Sequence, residues 1–163
     1  MFYHPEIIKQ KATAFYPTAK KIMQQLKKVK SSKLDKIVAE IHAGVFEKIN
    51  CLECANCCRS LGPLLTDADI RRVSRSLKKT PGEFTSEYLR LDEDGDYVFR
   101  SMPCPFLGKD NYCSIYNDRP RACREYPHTD QKGFLGKSKL TLKNIRTCPA
   151  VHEILTLLGS TEF

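Results

Sequence analysis

The sequence predicts an α+β protein: a small, helix-dominated single domain with short hairpins and a metal-stapled cysteine core. Three observations carry that expectation. Apolar residues recur at helical spacing in several segments, most of them with capping residues in front. The helical pattern gives way once to apolar residues around Asp94-Gly95, a dipeptide suited to a tight hairpin turn. Eight cysteines occur among 163 residues, four of them within Cys51-Leu-Glu-Cys54-Ala-Asn-Cys57-Cys58, and thiols at that density require a chemical purpose.

Taken in order, residues 6–29 read as a lysine-rich, weakly amphipathic helix that Pro17 divides, because proline removes an amide donor and crowds the preceding turn. In the next helix Leu34, Ile37, Val38, Ile41, Val45 and Ile49 share a face, Ser32 is the expected cap and Asp35 takes the capping-box position. That helix leads directly into Cys51. Thr66, with Asp69 three residues on and Leu65 and Ile70 as a hydrophobic staple, should open a helix from 67 to about 78. Thr80-Pro81-Gly82-Glu83-Phe84 repeats the capping logic and opens a short helix to about Leu89. Leu89, Leu91, Tyr97 and Phe99 then flank the Asp94-Gly95 turn, and a second turn is expected at Gly108-Lys109-Asp110-Asn111. Asn117-Asp118-Arg119-Pro120 reads as a cap and helix start carrying Cys123, and residues 149–158 as a closing helix ended by Gly159. Residues 1–49 are therefore expected as basic N-terminal helices packed on the same domain, and residues 50–158 as the part that carries the cysteine cluster.

The formal charge of +8 counts every cysteine as neutral, whereas metal-bound cysteines are thiolates, so part of the basic excess balances the site. The rest lies toward the N-terminus, where residues 1–50 hold ten lysines, no arginine and four carboxylates. Aromatic residues are not interleaved with those lysines as a base-stacking platform requires, which argues against nucleic acid and leaves a protein partner as a candidate. The N-terminus lacks a basic lead followed by an apolar run, and no transmembrane segment is legible. A cytoplasmic location is expected, and in a reducing compartment the even cysteine count favours metal or redox chemistry over a disulfide framework.

Thiolate sulfur suits zinc, copper(I) or iron–sulfur clusters, whereas magnesium and calcium sites are built from oxygen. Cys51-x2-Cys54 is a short chelating loop common in structural zinc sites, and its extension to Cys57 gives C-x2-C-x2-C, a spacing that iron–sulfur ferredoxins also use. Cys104-Pro105 and Cys148-Pro149 are both Cys-Pro pairs. Adjacent side chains tend to diverge, so Cys57 and Cys58 should serve two ions or a polynuclear centre more easily than one tetrahedral ion. In the competing reading Cys148 or Cys58 is a buried small hydrophobe or a redox-active thiol.

The order Cys51-x2-Cys54-x2-Cys57-Cys58, Cys104-Pro-Phe-Leu, Cys113-Ser-Ile-Tyr116 and Arg119-Pro120-x2-Cys123-Arg124-x-Tyr126-Pro127 resembles the YkgJ-type cysteine-cluster family, a zinc- or iron-chelating domain. The resemblance spans roughly residues 50–150. It implies metal binding at Cys51, Cys54, Cys57, Cys58, Cys104, Cys113 and Cys123, with Cys148 carried over less securely. A relative, the flagellin lysine N-methylase, suggests an enzyme with an iron–sulfur centre as the alternative function, although this chain shows no strand–GxGxxG–helix nucleotide loop.

Around the cysteines, Arg59, Arg119, Arg121 and Arg124 are candidates to donate to sulfur and offset thiolate charge. Phe106, Tyr116 and Tyr126 are expected as packing, and His128 is a candidate ligand or proton shuttle. His42 and His152 read as partly buried, non-ligating residues. The expected cofactor is zinc or iron, as single ions or an iron–sulfur cluster. The function read from the sequence is metal binding, with a redox or enzymatic role, and more weakly nucleic-acid binding, as alternatives.

Overall fold

The computed structural model describes residues 4–163, so Met1–Tyr3, part of the expected leaderless N-terminus, lie outside the described residues. In chain order the elements are helices α1 (Pro5–Leu26), α2 (Ser31–Phe46), α3 (Cys51–Cys54) and α4 (Asn56–Ser60), strand β1 (Leu64–Leu65), helices α5 (Asp67–Ser76) and α6 (Pro81–Tyr88), strands β2 (Leu89–Leu91) and β3 (Tyr97–Phe99), and helices α7 (Arg121–Glu125), α8 (Ser138–Asn144) and α9 (Pro149–Gly159). The fold is α+β and helix-dominated. It divides into a helical unit, the chain through Cys54 together with Pro127–Phe163, and a mixed unit, Ala55–Tyr126.

In the helical unit α1 and α2 pack on α9. Ile8, Ala12, Ala19, Ile22, Met23 and Leu26 form the buried stripe of α1, and Ile154, Leu155 and Leu158 that of α9. Pro17 does not divide α1, which runs unbroken through it. A proline inside a helix costs about 3 kcal/mol, and the buried stripe on both sides of Pro17 outweighs that cost. The expected cap of α2 is also corrected: Lys30 precedes the helix without a side-chain cap. Asp35 instead accepts hydrogen bonds from the amides of Gly133 and Phe134, at 2.9 and 3.1 Å, and so ties a distant turn to α2. Gly159 is the last helical residue of α9, and a Cβ there would lie 2.7 Å from Ile22 Cδ1, so its role is close approach to α1.

The mixed unit is built on a three-stranded antiparallel sheet of order β1-β3-β2, in which Leu65 pairs with Tyr97 and Leu89 with Phe99. The hairpin at Asp94-Gly95 forms as expected, and Gly95 supplies the left-handed φ of +82° that the turn needs. Both predicted capping boxes are present: Thr66 with Asp69 starts α5, and Thr80 with Glu83 starts α6. Leu65, Ile70, Val73, Phe84, Leu89, Phe99, Phe106 and Ile115 make one apolar core, against which Cys104 and Cys113 pack. The thiols of those two residues are thus set on the edge of a well-formed hydrophobic cluster.

Candidate metal centre

The chain's eight cysteines divide between the units. Cys57, Cys58, Cys104, Cys113 and Cys123 lie in the mixed unit, and Cys51, Cys54 and Cys148 in the helical one. No disulfide joins any of them.

In the mixed unit Cys57 and Cys58 sit in α4, and their sulfurs approach to 3.9 Å in a thiol hydrogen bond. Successive helical side chains are not expected to face each other, yet these two sulfurs lie close enough to touch, where divergence was expected. The Cys104 amide donates to the Cys58 carbonyl at 2.8 Å and brings the Cys104 loop beside α4. Leu107 and Cys113 form an antiparallel bridge around the predicted turn, closed by a hydrogen bond from the Gly108 amide to the Tyr112 carbonyl at 2.8 Å. Asn111 takes a left-handed φ of 68° in that turn and accepts a hydrogen bond from the Arg59 guanidinium. The two loop cysteines are thereby held by local backbone geometry on either side of one tight turn.

Cys123 rides on α7, whose start is fixed from α5. Asp69, buried, accepts from the Arg121 amide at 3.0 Å and from the Arg72 guanidinium at 2.6 Å, while Arg72 also donates to the Arg119 carbonyl at 2.7 Å. The helix begins at Arg121, later than the expected Asn117 cap, because Tyr116–Asp118 forms a 3-10 turn. Sequence reasoning assigned Asp69 a capping role and missed its second one. The carboxylate spans 52 residues to reach Arg121, a separation that local patterns do not encode.

The electrostatics of these thiols are uneven. Cys58 is pulled down to about 7, chiefly by the hydrogen bond with Cys57 and further by the charges of Arg59 and Arg119, against the opposing effect of burial. Burial pushes Cys104 up to about 11 and Cys123 up to about 12, with neighbouring thiolates adding to both, and it raises Cys113 as well. Cys58, Cys104 and Cys113 raise Cys123 and Arg119 lowers it, so four thiols and a guanidinium act on one another within one unit. Amides of Phe106 and Leu107 favour the Cys104 thiolate, and that of Ile115 favours Cys113. Arg119 lies over the Tyr116 ring with 3.5 Å from guanidinium carbon to ring centroid, and its Nε is buried without a hydrogen-bond partner among the described residues. Tyr116 is accordingly an exposed platform for Arg119, where packing in the interior was expected. Of the other predicted arginines, Arg121 pairs with Glu125 at 2.6 Å, and Arg124 is exposed.

In the helical unit Cys51 is exposed and Cys54 buried, one at each end of α3. Cys148 stands at the N-cap of α9, buried, and is pushed up to about 12 by burial and by the charges of Cys51 and Cys54. Pro149 has no amide hydrogen, so the nearest donors are those of Ala150 and Val151. Both favour the Cys148 thiolate, although neither completes a capping hydrogen bond. His128 is half-buried in the same unit at a φ of 67°. His42 is partly buried, with Nδ1 2.8 Å from Thr129 Oγ1, and His152 stacks on Phe15. Burial lowers both from the usual imidazole range.

Among the described residues, no three Cys, His, Asp or Glu side chains are already gathered into a coordination sphere. Taken unit by unit, the thiols fall into two sets, each spread along several segments. A family model described as "Putative zinc- or iron-chelating domain" matches residues 50–149. The chain belongs to this CxxCxxCC family. The matched CxxCxxCC segment begins with all of the clustered cysteines and ends one residue beyond Cys148. Metal binding of the zinc- or iron-chelating kind is thus the family character of the domain. No curated protein and no solved structure matches the chain.

Proposed function

We propose that the protein binds zinc or iron through two groups of thiolates, one in each unit: Cys57, Cys58, Cys104, Cys113 and Cys123 in the mixed unit, and Cys51, Cys54 and Cys148 in the helical unit. The observation that carries this reading is the convergence at α4. Sulfurs held about 2.3 Å from one tetrahedral ion lie about 3.8 Å apart, and Cys57 and Cys58 are separated by 3.9 Å. The donor set is soft sulfur on every segment, which suits zinc or iron and excludes the oxygen-seeking cations.

The surroundings fit an anionic centre. A four-thiolate site on a divalent ion carries a net charge of −2, and two guanidinium groups, those of Arg59 and Arg119, act on Cys58. The buried, unpartnered Nε of Arg119 is a donor left over for sulfur or for a ligand of the metal. Thiols raised to about 11 and 12 by burial and mutual repulsion are costly as bare thiolates, and a divalent cation would supply the missing countercharge. Metal binding would draw the loops at Cys104, Cys113 and Cys123 toward α4 and staple the edge of the mixed unit's core. In the helical unit three cysteines with an exposed member leave a coordination position for a further ligand, His128 or one from outside the chain.

The test is purification without oxygen, followed by metal analysis and an absorption spectrum. Zinc would give a colourless protein with near two ions per chain, and an iron–sulfur centre visible absorption with acid-labile sulfide. A fully folded protein with neither metal, which takes up neither on reconstitution, overturns the proposal.

A further inference from the structure

The exposed face of the helical unit carries a charge that the metal reading does not use. Between Glu6 and Asp35 the chain holds eight lysines and no carboxylate: Lys9, Lys11, Lys20, Lys21, Lys27, Lys28, Lys30 and Lys33. All eight are exposed. The next carboxylate along the chain, Asp35, accepts hydrogen bonds from the amides of Gly133 and Phe134. On α1 an open cleft of about 630 Å³ is lined by Tyr16, Pro17, Lys20, Lys21, Gln24 and Gln25. Over the Tyr16 ring stand Lys20, at 6.0 Å, and Arg146, at 5.9 Å from its centroid.

We propose that this face of α1, centred on the Tyr16–Gln25 cleft, docks an extended acidic segment of a partner protein. The chemistry favours that occupant over two others that share its charge. Insertion into a lipid surface needs an exposed apolar row, and the apolar stripe of α1 is already buried in the unit's own core. Nucleic acid is held by bases stacked on open aromatic faces, and the Tyr16 ring already carries two cations, Lys20 and Arg146. An extended peptide finds instead point charges for its carboxylates, the amides of Gln24 and Gln25 for its backbone, and the exposed Pro17 ring for an apolar residue. Lysine ammonium groups on flexible stems suit fast, salt-sensitive association.

The experiment titrates the metal-loaded full chain with a fluorescein-labelled peptide of eight glutamates around one phenylalanine, read by anisotropy at low and at near-physiological salt. Binding should weaken at least tenfold with salt and at least tenfold in K20E/K21E. Q24A/Q25A, which keeps the charge and the exposed helix, should weaken it about threefold, while K109E/R100E in the mixed unit changes it less than twofold. Far-UV circular dichroism confirms that each variant keeps its helices. Absence of peptide binding at low salt, equal loss in K20E/K21E and K109E/R100E, or tighter binding of single-stranded RNA or phosphatidylserine vesicles at the same salt would each overturn the proposal.

Discussion

Within Ala55–Tyr126 the thiols are answered by cations as well as by backbone amides, while Cys148 of the helical unit is answered by backbone amides alone. Arg59 and Arg119 act on Cys58, and Asp69 and Arg72 fix the loop that presents Arg119 and Cys123. Cys148 instead stands at the start of an 11-residue helix, where the ends of the peptide dipoles favour negative charge, and the side-chain charges acting on it are the unfavourable ones of Cys51 and Cys54. The two neighbourhoods therefore differ in how much thiolate charge they tolerate without metal. The mixed unit is prepared for at least one thiolate, and on the proposed function the helical unit would need the ion itself.

The largest effect that can break this comparison is loss of metal. Metal binding is worth on the order of 10 kcal/mol in small thiolate sites and becomes part of the folding free energy. Chelation should therefore lower the melting temperature of the whole chain steeply. Cys123→Ser should remove the metal of the mixed unit and leave that of the helical unit, and Cys148→Ser should do the reverse. Elemental analysis of both variants decides the matter, and loss of all metal from either would show the two groups to be one centre.

Next in size is the scaffold beneath the mixed unit's thiols. Phe84 is fully buried in the core against which Cys104 and Cys113 pack, so Phe84→Ala should cost about 3–5 kcal/mol in chemical denaturation. Metal stoichiometry in the folded fraction should stay unchanged. Asp69→Asn should cost less, about 1–3 kcal/mol, because it weakens a buried acceptor of four hydrogen bonds. Unlike the core variant, it should also slow metal uptake, since it loosens the start of α7. Equal uptake rates in the two variants would remove Asp69 from the account of the site.

The features that the sequence made legible are those whose cause is local. The capping boxes at Thr66 and Thr80, the Asp94-Gly95 hairpin and the closing helix after Cys148 each depend on residues within four positions of one another. What stayed illegible acts at long range or over very short segments. Asp35 reaches 98 residues to Gly133, β1 has two residues, and α8 lacks a cap that would announce it. The cysteine spacing indicated thiolate chemistry and a family, yet the division of CxxCxxCC between units follows from where α3 ends and α4 begins. Pro17 shows the converse failure, a strong local signal overridden by a buried stripe.

The smallest expected effect tests the cations directly. Protons compete with metal for every thiolate, so acidification releases the ion. Cys58, held near 7 in the fold against 9.0 ordinarily, contributes stability that is present above pH 9 and lost as the pH falls through 7. Burial of His42 and His152 in their neutral forms withdraws stability on the same acid side, below 6.5, so only a difference between variants isolates the thiol. Arg119→Met removes one of the two cations and raises Cys58, which should move the pH midpoint of metal release upward by a fraction of a unit. Arg119→Lys keeps the charge while losing the planar stack on Tyr116, and should recover most of the shift. The readout is released metal against pH with a chromophoric chelator. Coincident curves for wild type and Arg119→Met would mean that the guanidinium serves the Tyr116 stack alone, and the contrast between the two thiol groups would then rest on the Cys57–Cys58 hydrogen bond and Arg59.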